Sequence, residues 1–168
     1  MTTVLALDLA SVCGWACGEP GGTPSHGSIR FASLGSSHEA IFAGALKWMS
    51  TMCKERQPNL VVWEAPLSTS FKRGKTTVNV TTILYGLPAL IGAVAYLHGI
   101  YDIRKAETRD VRMHFLGQNP KRAKAKRLVM QQCRLFGWDV ADDNEADALA
   151  IWSYMTTILT ADMFRRQA

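Results

Sequence analysis

A chain of 168 residues with 48% hydrophobic and 20% charged residues falls in the ordinary range for one globular domain, expected to span residues 1–168. The formal net charge is +5, but residues 72–134 hold thirteen Lys or Arg against Asp102, Glu107 and Asp110, so that segment is +10 and the remainder −5; a surface that faces a polyanion is expected there. No signal peptide opens the chain, no two of its four cysteines form a Cys-x-x-Cys pair, and the uncharged span Thr76 to Tyr101 is broken by Thr, Asn, Gly and Pro88. A cytoplasmic protein with reduced thiols, no membrane span and a buried helix in that region is expected.

In chain order, Val4 to Leu9 (VLALDL) is a short apolar run suited to a strand buried on both faces, with Asp8 near its end. Ser11, Gly14 and Gly18 mark a turn into a second strand around Trp15 and Ala16, and His26 to Phe31 supplies a third, making a meander. Ser36-x-x-Glu39 has capping-box spacing, and Ile41, Phe42, Ala45, Leu46, Met49, Met52 and Cys53 follow at helical intervals, so a helix is expected over about 38–56. Leu60 to Glu64 is a second buried-strand pattern that delivers a carboxylate at its end, with Pro66 stopping it. A basic stretch, 68–77, leads into a second helix that Pro88 should kink or restart. Ile100 to Ile103 predicts a further strand, Pro120 to Phe136 a basic helix with Leu128, Val129, Cys133 and Phe136 on its apolar side, and a last helix starts near Asn144 with Ala148, Ile151, Trp152, Met155 and Leu159 inward. The result is an α/β chain with a mixed sheet; its order agrees with an RNase H-like fold, five strands with helices on both faces, while pattern alone leaves other α/β arrangements open.

Placing Asp8 and Glu64 at the ends of apolar strands is costly unless each is paired or bound to a metal. A third group of acids, Asp142-Asp143-Asn144-Glu145-Ala146-Asp147, lies where the final helix starts. Asp143 and Asp147 are four apart and Asn144 and Asp147 three apart, so either pair shares a helix face, whereas Glu145 points elsewhere. Taken alone, acids at a helix start are ordinary caps, and Asp142 or Asp143 can serve only that purpose. Taken together, the three acidic positions make an oxygen-rich set of the kind Mg²⁺ selects, and a pair of such ions can stabilise both oxygens in phosphodiester displacement.

Leu7-Asp8-Leu9-Ala10-Ser11 with Gly14-Trp15-Ala16, then Val62-Trp63-Glu64, then Ala146-Asp147-Ala148-Leu149-Ala150-Ile151 resemble, in order and spacing, the acidic motifs of RuvC-type Holliday junction resolvases of the RNase H superfamily. Phe71 in the loop after Glu64 and Lys126-x-x-Val129 extend the likeness over most of the chain. The resemblance implies a structure-selective endonuclease that nicks four-way or other branched DNA junctions. It makes Asp8, Glu64 and Asp147 ligands for Mg²⁺, with Mn²⁺ able to substitute and two ions per site; Lys126 becomes the catalytic lysine and Phe71 the aromatic that probes the junction. The family commonly carries a carboxylate or histidine three residues before its last aspartate. Here that position is Asn144, so the fourth ligand is Asp143 or, alternatively, Asn144. The two-fold character of a four-way junction makes a C2 homodimer the expected assembly.

Lys121, Arg122, Lys124, Lys126 and Arg127 put five positive charges in seven residues, a density at which some are simply solvated and others face phosphate. Lys72, Arg73 and Lys75 flank Phe71, joining charge to a stackable ring as suits unpaired or distorted DNA, unless Phe71 closes the loop as a core residue. Arg104, Lys105, Arg109 and Arg112 extend the basic track without a fixed orientation, and the four histidines show no metal-ligand spacing. Three other readings compete: a nuclease of the same fold acting on RNA·DNA hybrid or structured RNA, a non-catalytic DNA-binding relative, and an actin-like nucleotide-binding domain. The last needs a second half that 168 residues do not provide. Nothing in the sequence indicates a helicase partner.

Overall fold

Alternation along two short strands decides where the rest of the chain packs. β1 (Val4–Asp8) and β4 (Leu60–Glu64) are parallel neighbours, Val4 opposite Leu60 through Leu7 opposite Trp63, in the computed structural model, which describes residues 2–65 and 78–167. Because side chains alternate between faces, Val4, Ala6, Leu60 and Val62 enter one core and Leu5, Leu7, Val61 and Trp63 the other. Both strands are therefore apolar up to their last residues, Asp8 and Glu64.

β2 (Val12–Gly18) pairs antiparallel with β1, and β3 (Ser25–Arg30) antiparallel with β2, as the meander requires. β5 (Asp102–Ala106) adds in parallel outside β4, giving the mixed order β3-β2-β1-β4-β5. The strand falls slightly later than the apolar run Ile100 to Ile103, since Ile100 is buried before the strand begins.

α1 (His38–Arg56) and α2 (Val78–Leu97) cover one face through Ala45, Met49, Met52, Cys53, Leu87, Ile91, Val94 and Ala95. The cap of α1 is Ser37 rather than Ser36, its side chain accepting from the Ala40 amide, and Leu46 is about half exposed rather than inward. Pro88 lies inside an uninterrupted α2 instead of restarting it. Nor is α2 wholly buried: Tyr85, Ala89, Ala93, Tyr96 and Leu97 are exposed along one side, and Val80–Leu97 is long and apolar enough to cross a membrane by length and composition. Its other side is nonetheless built into the core of this domain.

The opposite face carries α3 (Thr108–Leu116), α4 (Arg122–Leu135) and α5 (Asp143–Gln167). Val111, Phe115, Val129, Cys133, Ala148, Leu149, Ile151, Trp152 and Met155 pack there against the even-numbered residues of β1 and β4. All four cysteines are buried and unpaired, as reduced core thiols should be.

Candidate active site

The two-residue period that sends Val4 and Ala6 toward α3, α4 and α5 sends Asp8 there too, and Glu64 follows Leu60 and Val62 by the same rule. One register step beyond the Leu7–Trp63 pair, the two carboxylates leave adjacent parallel strands at the same end and on the same face. α5 supplies the third. Its first turn lies directly on β2 at Gly14, the partner of Asp8 in the β1–β2 ladder. A Cβ on Gly14 would stand 1.8 Å from the Asn144 carbonyl oxygen, so a side chain at position 14 would push α5 away. Glycine thus lets the helix start close to β1, with Asp147 one turn in.

A latch from β3 holds that helix start. Asp142 caps α5, its Oδ1 accepting from the Glu145 amide at 2.9 Å, while its Oδ2 accepts from Ser28 Oγ at 2.7 Å. Glu145, only 6% exposed, meets His26 Nδ1 at 2.9 Å and accepts from the Ala141 amide at 2.6 Å. Asp142 therefore does the capping its sequence position allowed, and His26 and Glu145 are structural rather than part of the carboxylate set.

Asp8, Glu64 and Asp147 act on one another's charge. Burial first, then Asp147 and Glu64, push the Asp8 carboxyl up to about 7, with Lys126 and Arg122 opposing. Burial and then Glu64 push Asp147 up to about 6, against Lys126, Arg112 and Arg122. Glu64 is also raised, chiefly by burial, against a hydrogen bond with Thr108 and the charges of Arg112 and Arg122. Three cations from α3 and α4 therefore border the acids. Two of the groups involved, Thr108 and Arg112, belong to α3, which sequence periodicity did not separate from β5. The signals for it were the i,i+4 pair Val111 and Phe115 and the Gly117 that ends it at φ 66°.

Of the remaining expected site residues, Lys121 just before α4 and Arg122, Lys124 and Arg127 on it are exposed, while its inner side is Ala125, Val129 and Cys133. Lys126 is partly buried and forms an ion pair with Asp143. The Asn144 side chain hydrogen-bonds with Asp142. Phe71, Lys72, Arg73 and Lys75 lie outside the described residues.

Three carboxylates bordered by cations fit a hard divalent cation by the chemistry of the donor set. Burial first, and mutual repulsion after it, raise Asp8 and Asp147, which disfavours three ionised carboxylates without added positive charge. As placed, no three His, Cys, Asp or Glu side chains among the described residues converge at metal-binding spacing. The acids are thus close enough to interact through charge without forming a closed ligand shell.

A five-stranded sheet in this order, with helices on both faces, is the RNase H-like fold. Within it, the chain matches solved structures of Holliday junction resolvases. It is similar to Thermus thermophilus RuvC in complex with a Holliday junction substrate at a TM-score of 0.71 and 14% identity, over 97% of this chain and 96% of that one. A second Thermus thermophilus RuvC structure gives 0.65 and 16% identity over 96% of each. The yeast mitochondrial Holliday junction resolvase Ydc2 gives 0.60 and 13% identity over 92% of this chain and 78% of that one. Neither a protein-family model nor a curated protein matches the sequence.

Proposed function

We propose that this protein is a Mg²⁺-dependent endonuclease that nicks four-way or other branched DNA junctions. The observation that carries the reading is that Asp8, Glu64 and Asp147, from two strand ends and a helix start, act on one another's charge beside a basic helix. A phosphodiester is an anion, and three carboxylates would repel it unless positive charge is supplied. Lys126, Arg112 and Arg122 supply part of it, since each lowers the pKa of at least one of the acids. Asp8, Glu64 and Asp147 would hold two Mg²⁺ ions, or Mn²⁺ in their place, which when bound provide Lewis-acid stabilisation of charge on the attacked phosphate. Lys126, at the edge of this site, donates N–H to a non-bridging phosphate oxygen or to the attacking water. Lys121, Arg122, Lys124 and Arg127 contact neighbouring phosphates, and Phe71 with Lys72, Arg73 and Lys75 meets the opened centre of the junction.

The test is cleavage of a mobile four-way junction in Mg²⁺, beside linear duplex and RNA·DNA hybrid of the same sequence. Junction cleavage with little cutting of duplex supports the reading. Preferential cutting of the hybrid shifts the substrate to RNA·DNA, and no cutting of any substrate leaves only a branched-DNA-binding relative.

Binding through phosphates releases counterions, so junction affinity should fall steeply with salt, with a log–log slope of about −0.9 per phosphate neutralised. Replacing Lys121, Lys124 and Arg127 together by Gln should flatten that slope by about 2 to 3 in a gel-shift or anisotropy titration. An unchanged slope would put the DNA on another face.

A C2 dimer suits a two-fold substrate, and the exposed apolar side of α2 supports one: Tyr85, Ala89, Ala93 and Tyr96 recur at helical spacing around small residues. Ala93→Arg, at an exposed position, should leave the domain folded while shifting it from dimer to monomer in sedimentation velocity, and paired nicking of the two junction strands should be lost. A variant that still sediments as a dimer would exclude α2 as the contact.

A further inference from the structure

We propose that Asp143 is a positioning residue that tethers the Lys126 ammonium at the carboxylate site, rather than a ligand of the metal; this inference rests on the nuclease reading above. Asp143 is the first residue of α5, one turn before Asp147, and Lys126 begins the second turn of α4. The two helices pack through Val129 and Cys133 against Ala146 and Leu149, with Cys133 Sγ hydrogen-bonded to the Ala146 carbonyl oxygen. That packing fixes the backbones. It leaves the four-carbon lysine stem free to choose among rotamers, most of which lead to solvent.

The ion pair between Lys126 Nζ and Asp143 Oδ2 removes that freedom. From where it is held, the ammonium acts on both Asp8 and Asp147. An ammonium has three N–H donors and Asp143 occupies one, which leaves donors for a phosphate oxygen at the site. Both partners are more than a third exposed, with side chains 39% and 34% accessible, so the pair adds little to folding stability. Its consequence is orientation. Asn144, the other candidate for the fourth ligand position, is engaged with Asp142.

The experiment compares wild type with Asp143→Asn, Asp143→Ala and Asp147→Asn, using three readouts. Mg²⁺ affinity of the DNA-free protein, measured by calorimetry, should stay near wild type in both Asp143 variants and fall in Asp147→Asn. Mass-spectrometric labelling of lysine amines should modify Lys126 severalfold faster in Asp143→Ala, and less so in Asp143→Asn, which keeps an acceptor. Single-turnover junction cleavage should fall about tenfold to a hundredfold in Asp143→Ala, with no further loss when Asp143→Ala is added to Lys126→Met. Mg²⁺ affinity lost in Asp143→Ala as fully as in Asp147→Asn would overturn the proposal and make Asp143 a ligand. So would an unchanged Lys126 labelling rate, or an additive loss in the double variant. Should wild type cut no branched DNA, the nuclease reading fails, and the labelling rate alone then decides whether Asp143 tethers Lys126.

Discussion

Asp8→Asn, Glu64→Gln and Asp147→Asn should each reduce Mg²⁺-dependent junction cleavage by about a thousandfold or more while leaving the fold and junction binding intact. The substitutions are nearly isosteric, and none removes a contact that holds the core: β1 and β4 are fixed by Val4 to Leu7 and Leu60 to Trp63, and α5 by its latch to β3. What each removes is one negative oxygen donor from a set of three, which lowers affinity for a divalent cation and misplaces any that still binds. Binding of DNA should be equal or slightly tighter, because each variant takes a negative charge away from the phosphate path. Single-turnover cleavage, circular dichroism and gel shift on the same preparations check the three parts of the claim. Near-normal cleavage by any one variant in Mg²⁺ would remove that residue from the site.

The sheet was legible because strands buried on both faces must be apolar along their whole length, and VLAL and LVVW have no other good home in a chain of this size. The acids that end those runs were conspicuous for the same reason: a charge at the end of a buried strand needs a function or a partner. Helix starts were less legible. Ser36 and Ser37 are both competent caps, and only the fold settles which side chain reaches an amide, here Ser37 to Ala40. α3 was hidden because it follows β5 almost at once and contributes only Val111 and Phe115 to the core, and Thr108 and Arg112 were hidden with it. The apolar stretch Val80–Leu97 called for burial, yet composition cannot say that one of its sides is left exposed.

Within the candidate site, Asp8, Glu64 and Asp147 were readable from position, but the contacts that organise them were not. His26 and Glu145 are 119 residues apart, and Ser28 and Asp142 are 114 apart, so no local pattern could pair them. Glu145 reads by helical phase only as pointing away from Asp147, and it is buried because β3 offers His26. Gly14 is the reverse case. It read as a turn residue, whereas its place in β2 is set by the α5 backbone that lies against it.

The metal-free protein should become less stable as pH rises from about 4 to above 7, and Asp8→Asn should remove much of that loss. The sign follows from the carboxyls. Asp8 rises from 3.8 to about 7 and Asp147 from 3.8 to about 6, so the folded state holds these protons more tightly than the unfolded chain does. The stability this provides is complete below the unfolded value of 3.8 and is lost as pH climbs through 6 and 7. A three-unit shift alone would correspond to about 4 kcal/mol; relaxation of the coupled acids and their partial solvent access bring the expected effect of Asp8→Asn to about 2 kcal/mol at pH 8. In a domain of this length that is about 4–8 °C in Tm, measured in EDTA, with the advantage vanishing near pH 4. Mg²⁺ should give wild type a similar gain at pH 8 and little at pH 5, because it binds the ionised acids of the folded state. A metal-free Asp8→Asn variant that melts below wild type at pH 8 would mean that the protein's own cations already satisfy the Asp8 carboxylate, and the case for a cation-deficient site would fail with it.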